Sequence, residues 1–140
     1  MNVVELTIDG RRLEAQEGEF VLAVARRAGI EIPTLCHHEA VEPVGACRLC
    51  MVEITHADWG GWSGLVTACI YPVEQGLQVS THSEKVVEAR RGVLALLAAR
   101  APNAKGLAEL AGKYGASTER LAVDQDADDC ILCGLCTRVC

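Results

Sequence analysis

The sequence predicts an α+β fold, and three patterns predict it. Apolar and polar residues alternate on both sides of an Asp9-Gly10 pair, which reads as two strands joined by a tight turn. Val21, Val24, Ala25 and Ala28 then recur at helical spacing, and further alternating runs follow residue 50. From about Thr81 onward the pattern turns helical. The 140 residues suffice for one ordinary domain or two very small ones. Half are hydrophobic but only five are aromatic, so the core must be aliphatic.

In the first strand Val4, Leu6 and Ile8 alternate with Glu5 and Thr7. Arg12 to Ala15 reads as the returning strand. Glu17-Gly18-Glu19 is expected to open the first helix, where acidic side chains suit the positive end of the helix dipole, and Gly29 to stop it. Ile30 to Pro33 should be extended, because the residue before proline avoids the helical region. Met51 to Thr55 alternates as a strand. Asp58 to Gly64 is a turn-rich tip, Val66 to Ile70 another strand and Leu77 to Val79 a short last one. Thr81 and Glu84 have capping-box spacing ahead of a helix that runs to about Arg100, with Val86, Val87, Val93, Leu94 and Leu97 as its apolar stripe. Arg90 and Arg91 are assigned to its solvated face. After Ala101-Pro102-Asn103 a shorter helix carries Leu107, Leu110, Ala111 and Tyr114 on one face, with Gly115 as its C-terminal cap. These two helices have too little core of their own and should pack on the strand unit or on a partner.

Eight cysteines stand out in a chain of this length. Cys36, Cys47, Cys50 and Cys69 have the spacing C-x10-C-x2-C-x18-C. Three lie on one loop containing Gly45 and Pro43, and the fourth returns from a distant apolar run. A plant-type 2Fe–2S cluster has the same order of ligands, with a first gap of four rather than ten. Gly45 and Ala46 leave room for backbone to approach the inorganic sulfides. Hairpin, helix, cysteine loop and further strands are together the order of a β-grasp (ubiquitin-like) ferredoxin. At the other end Cys130, Cys133, Cys136 and Cys140 form C-x2-C-x2-C-x3-C, the bacterial ferredoxin run, whose fourth cysteine ligates the other cluster of a pair. Cys130, Cys133 and Cys136 are therefore expected to hold three corners of a 4Fe–4S cluster. Cys140 is expected to serve a second cluster or to fold back on the same one.

Leu35-Cys36-His37-His38, Gly45 to Glu53 and Ala68 to Val73 resemble one family. It is the large iron–sulfur subunit of NADH:quinone oxidoreductase, with the related diaphorase gamma subunits of NAD-linked hydrogenases and some formate dehydrogenases. The resemblance is strong over residues 1 to 82 and looser beyond. It implies an electron-transfer component without catalytic residues of its own, relaying single electrons between a flavin- and NAD-binding partner subunit and other low-potential clusters toward a catalytic oxidoreductase subunit. Family members usually carry a histidine and three cysteines for a further 4Fe–4S cluster where this chain has Leu97 to Leu110, which contains neither residue. The expected organisation is a 2Fe–2S β-grasp domain over 1–82, a helical connector over 83–128 without that ligand set, and an incomplete 4Fe–4S module over 129–140. Such a chain reads as a fragment of a longer protein.

Other features set limits. The formal net charge of −6 argues against nucleic acid as a partner. The opening residues have no basic, apolar leader pattern, and the longest apolar run, Gly92 to Ala99, is too short for a bilayer. A cytoplasmic protein without direct membrane insertion is expected, and there clustered cysteines hold metal more often than they form disulfides. Cys36-His37-His38 matches half of a Rieske pattern, but Cys50 stands where its second histidine would be. His37 and His38 are better placed to line the loop. His56 and His82 are assigned surface or capping roles. Trp59 and Trp62 suit either docking or packing over their own sheet. Four aspartates between 124 and 129 read as a solvated turn. The alternative of a different class is a non-redox interaction module whose structural sites hold Fe–S or zinc.

Overall fold

The computed structural model describes residues 2–126 and 128–140. Strands β1 (Val3–Ile8) and β2 (Arg11–Gln16) pair antiparallel from Ile8 opposite Arg11 to Val3 opposite Gln16. Asp9 and Gly10 turn the chain with φ of 51° and 79°. That is the mirror-image turn whose twist matches the flanking strands. Helix α1 (Val21–Arg27) is followed by β3 (Met51–Thr55), β4 (Ser63–Thr67) and β5 (Gln78–Ser80). The sheet order is β2-β1-β5-β3-β4. Only β1 and β5, both central, run parallel. This is the β-grasp arrangement, within an α+β fold.

The core follows from the alternation. Val4, Leu6 and Ile8 of β1, Val52 and Ile54 of β3, and Val79 of β5 are buried against Val21, Leu22, Val24 and Ala25 of α1. Each fully buried aliphatic side chain contributes about 1.5–3 kcal/mol. A second core lies beside the first. There helix α2 (Glu84–Arg100) and helix α3 (Lys105–Lys113) enclose Leu94, Ala101, Leu107 and Ala111 around Leu49 of the cysteine loop. The helices thus gain their core by packing on the strand unit, and Leu49 is the hinge of that contact. Helix α4 (Leu135–Arg138), not foreseen in the sequence, closes the chain.

Several boundaries differ from the sequence expectation. Glu17 and Glu19 lie ahead of α1, not in its first turn. The Glu19 carboxylate is instead taken by the Gln16 N–H at 2.7 Å and by Arg27 at 2.7 Å. Strand β4 begins and ends three residues earlier than its alternation suggested, because β3 starts at Met51, opposite Thr67. Past that point the Ala68 N–H donates to the Cys50 carbonyl, and the Ala68 carbonyl accepts from Leu22 of α1. The cap of α2 is Ser83, whose hydroxyl accepts from the Val86 N–H. Thr81 cannot serve, since its N–H and hydroxyl donate to the two Asp9 carboxylate oxygens at 2.8 and 2.6 Å. Arg90 is not solvated but only 4% exposed, in line with Val86 and Leu94 on the inner face of α2. Its guanidinium donates to the carbonyls of Thr81 (3.2 Å) and Met51 (3.4 Å) and lies 5.2 Å from the Tyr114 ring centre.

Candidate metal centre

Four elements deliver the first set of cysteines. Cys36 ends the extended stretch that Ile32 and Pro33 anchor in the interior. Cys47 lies on the loop, Cys50 immediately precedes β3, and Cys69 sits on the turn just past β4. The β3–β4 register, with Met51 opposite Thr67, makes neighbours of the last two. Cys36, Cys50 and Cys69 are each 2% exposed, and Cys47 is half-buried.

The four sulfurs are arranged as two pairs. The Cys47 N–H points at the Cys36 sulfur, 3.4 Å away, and the Leu49 N–H at the Cys47 sulfur, 3.5 Å away. Cys50 and Cys69 meet thiol to thiol. The hydrogen bond between them lowers the Cys50 thiol and raises that of Cys69. Burial raises the Cys47 thiol. Among the described residues no three His, Cys, Asp or Glu side chains gather around a single-ion position. A pair of thiolates on either side is the donor set that two irons bridged by sulfide require. N–H groups aimed at sulfur stabilise the thiolate form.

The loop is wound to make this possible. Gly45 has φ of 64° and Arg48 φ of 62°, both left-handed. A Cβ on Gly45 would stand 2.8 Å from Cδ1 of Ile70 and 3.3 Å from Oγ1 of Thr67. The loop therefore lies close against the turn that carries Cys69. His38 accepts the Ala40 N–H at 3.1 Å, so it braces the loop backbone. The His37 Nδ1 is buried and has no partner among the described residues, and burial, helped by nearby Arg26, holds this imidazole below its usual range. A depression of about 250 Å³ lined by Phe20, Leu22, Ala23, Arg26, His37, Glu39 and Cys69 opens beside it. His56 caps a short 3₁₀ turn (Ala57–Trp59) by accepting the Asp58 N–H, and Trp62 folds over Gly64 of its own hairpin.

The terminal cysteines are arranged differently. Cys130, Cys136 and Cys140 are exposed and Cys133 is half-buried. The Leu132 N–H lies 3.4 Å from the Cys130 sulfur, and Leu132 and Gly134 both take left-handed backbone. Ile131 packs into the second core with Leu35, Cys47 and Leu49, so this segment lies against the first cysteine loop. Of the aspartates ahead of it, Asp124 and Asp128 each accept an N–H two residues on, and Asp128 lies 3.6 Å from Arg100. Two residues near the cysteines escaped the sequence reading. Arg90 could have been found from its four-residue spacing to Val86 and Leu94. Arg138 had no local signal, because its partners in the first cysteine loop are about a hundred residues away.

A five-stranded β-grasp sheet with paired thiols on a tightly wound loop defines a ferredoxin-type protein. The chain belongs to the 2Fe-2S iron-sulfur cluster binding domain family, whose model matches residues 1–84. It is 35% identical to the NADPH-Fe(3+) oxidoreductase subunit alpha of Geobacter sulfurreducens over 160 aligned positions, covering 98% of this chain and 18% of that subunit. It is also 35% identical to the mitochondrial NADH-ubiquinone oxidoreductase 78 kDa subunit of Candida albicans, covering 67% of this chain and 12% of that subunit. A crystal structure of NAD+-reducing [NiFe]-hydrogenase in the H2-reduced state superimposes with a TM-score of 0.79 at 31% identity, over 96% of this chain and 64% of the hydrogenase chain. The chain thus spans under a fifth of the curated relatives it matches. The Geobacter alignment is longer than this chain, so that subunit carries extra residues inside the matched region. No helix among the described residues is long and apolar enough to cross a membrane.

Proposed function

We propose that this chain is an iron–sulfur electron-transfer segment of an NAD(P)H-, hydrogen- or formate-linked oxidoreductase. The observation that carries the reading is the division of four cysteines, three buried and Cys47 half-buried, into two facing pairs, Cys36 with Cys47 and Cys50 with Cys69. When bound there, a 2Fe–2S cluster supplies reversible one-electron chemistry at low potential. The chain's own residues do the rest. Cys36, Cys47, Cys50 and Cys69 act as thiolate ligands. The N–H groups of Cys47 and Leu49 are aimed at sulfur and favour the charged form. Leu49 and Ala68, both fully buried, keep water from the inner side of the loop.

The remaining assignments belong to the same proposal. Cys130, Cys133 and Cys136 hold a 4Fe–4S cluster, with Cys140 on that cluster or on a second one. Residues 1–82 form the 2Fe–2S domain, 83–128 a connector without the histidine and cysteines of a further cluster, and 129–140 part of the 4Fe–4S module. The electron donor is a flavin- and NAD-binding partner subunit, the acceptor another low-potential centre on the way to a catalytic subunit, and the complex is cytoplasmic. The names of two relatives, an NADPH-Fe(3+) oxidoreductase and an NADH-ubiquinone oxidoreductase, support this direction of traffic, and the NAD+-reducing hydrogenase supports a nicotinamide at one end of the path.

Metal analysis of anaerobically purified protein tests the reading. About six irons per chain load both motifs, and about two load the first motif alone. A reduced sample with the rhombic electron paramagnetic resonance signal of a 2Fe–2S centre supports electron transfer. Stoichiometric zinc without iron overturns it in favour of a structural metal module.

A further inference from the structure

Arg138 belongs to the terminal cysteine motif, but its guanidinium reaches into the other one. Nη1 donates to the Glu42 carbonyl at 2.8 Å, and Nη2 donates to the carbonyl of Cys36. The same Nη2 turns back to the Cys133 carbonyl at 3.4 Å. One planar fork therefore joins the first cysteine of the N-terminal set, the acidic turn of its loop and the second cysteine of the terminal set. Among the described residues, the hydrogen bonds that tie residues 133–140 to the 36–50 loop all come from this side chain. Upstream the segment is anchored separately, by Ile131 in the second core and by Asp124, whose N–H donates to the Ala99 carbonyl at 3.0 Å.

The chemistry of the contact is that of a clamp. The acceptors are neutral carbonyls, and no carboxylate lies within ion-pair distance of Arg138 among the described residues. Its Nε is buried and has no partner among the described residues. A partly desolvated cation held by carbonyls alone is unfavourable unless negative charge lies close by. Thiolate-ligated clusters on either side would supply that charge. A guanidinium also fixes direction as well as distance, because its donors lie in one rigid plane.

We propose that Arg138 is a positioning residue that clamps the terminal cysteine motif onto the first cysteine loop and so sets the separation between the two clusters. The inference rests on the proposed loading of both motifs. Electron tunnelling falls exponentially with separation, so a loosened clamp slows exchange between the clusters without altering either ligand set.

The test compares the whole chain with Arg138→Met and Arg138→Lys, the second keeping the charge but not the fork. Two readouts are taken on each: hydrogen exchange by mass spectrometry, and the magnetic interaction between the two reduced clusters by paramagnetic resonance. The expected result is faster exchange over residues 36–46 and 133–140 in both variants, with unchanged protection of β1, β3 and β5. Full iron content and both cluster signals remain, and the mutual splitting or relaxation enhancement is lost. Unchanged local exchange overturns the clamp. Faster exchange with an intact magnetic interaction overturns its role in spacing. An iron content near two in the unaltered chain overturns the loading of the second motif, which is a separate failure seen before any variant is made.

Discussion

Replacing Gly45 with alanine should weaken the hold on the cluster by an amount the structure allows to be worked out. Gly45 sits at φ of 64°, where an L-residue costs about 1 kcal/mol more than glycine. The added methyl would lie 2.8 Å from Cδ1 of Ile70, well inside the contact distance of about 3.5–4.0 Å. Ile70 is 37% exposed and its terminal methyl can swing aside, which costs about 0.5–1.5 kcal/mol in an off-rotamer torsion. The sum is about 2 kcal/mol, or about a thirtyfold weaker hold on the bound state. Chelator-driven bleaching of the visible spectrum measures that retention, and urea unfolding of the loaded protein gives the stability change. The double variant Gly45→Ala/Ile70→Ala should recover the steric share and keep the backbone share of about 1 kcal/mol. Unchanged retention in Gly45→Ala would refute the argument that this loop is wound tightly against the Cys69 turn. A double variant no better than the single one would refute the role given to Ile70.

The other expectations follow from the same contacts. Arg90→Met should destabilise the fold by about 1–3 kcal/mol in urea unfolding, since it strips donors from the Thr81 and Met51 carbonyls. It should also lower the midpoint potential of the first centre by removing a buried cation near Cys50, and a potential that rises or stays level would contradict that placement. Thr81→Val should cost about 1.5–3 kcal/mol, because its hydroxyl donates to a carboxylate in a buried setting; a neutral result would mean that Asp9 finds another donor. Arg27 hydrogen-bonds Glu19 and holds its carboxyl below the usual range, so this contribution is present above the ordinary carboxylate pKa and is lost as pH falls through the lowered one. Both groups are partly exposed, so Glu19→Gln should flatten the acid limb of a stability–pH curve by under about 1 kcal/mol. Cys133→Ser should lower iron content by about four per chain while the 2Fe–2S spectrum persists, and loss of both clusters would show that the motifs do not load independently.

How much of this could be read beforehand differs from element to element. The hairpin at Asp9-Gly10, the β3 strand and the face of α3 follow local rules, since turn preference and alternation act within a few residues. The end of β4 did not follow them, because a strand lasts only as long as its partner, and β3 starts at Met51. Thr81 looked like a cap until the hairpin turn brought Asp9 to its hydroxyl across 72 positions. Arg90 looked solvated by residue type, yet its stem fills the row between Val86 and Leu94, and its charge finds carbonyls that only the packed helix can offer.

The sequence by itself determined the chemistry of the site. Cys36, Cys47, Cys50 and Cys69, with the run from Cys130 to Cys140, are visible as spacing alone. Tertiary structure decided which thiol faces which. The antiparallel register of β3 and β4 sets Cys50 beside Cys69, and the left-handed backbone at Gly45 and Arg48 folds Cys47 back on Cys36. It also decided that the two cysteine motifs meet, through Ile131 and Arg138. Spacing along a chain limits how far apart ligands can lie. Only strand register and packed side chains select the pairs that touch.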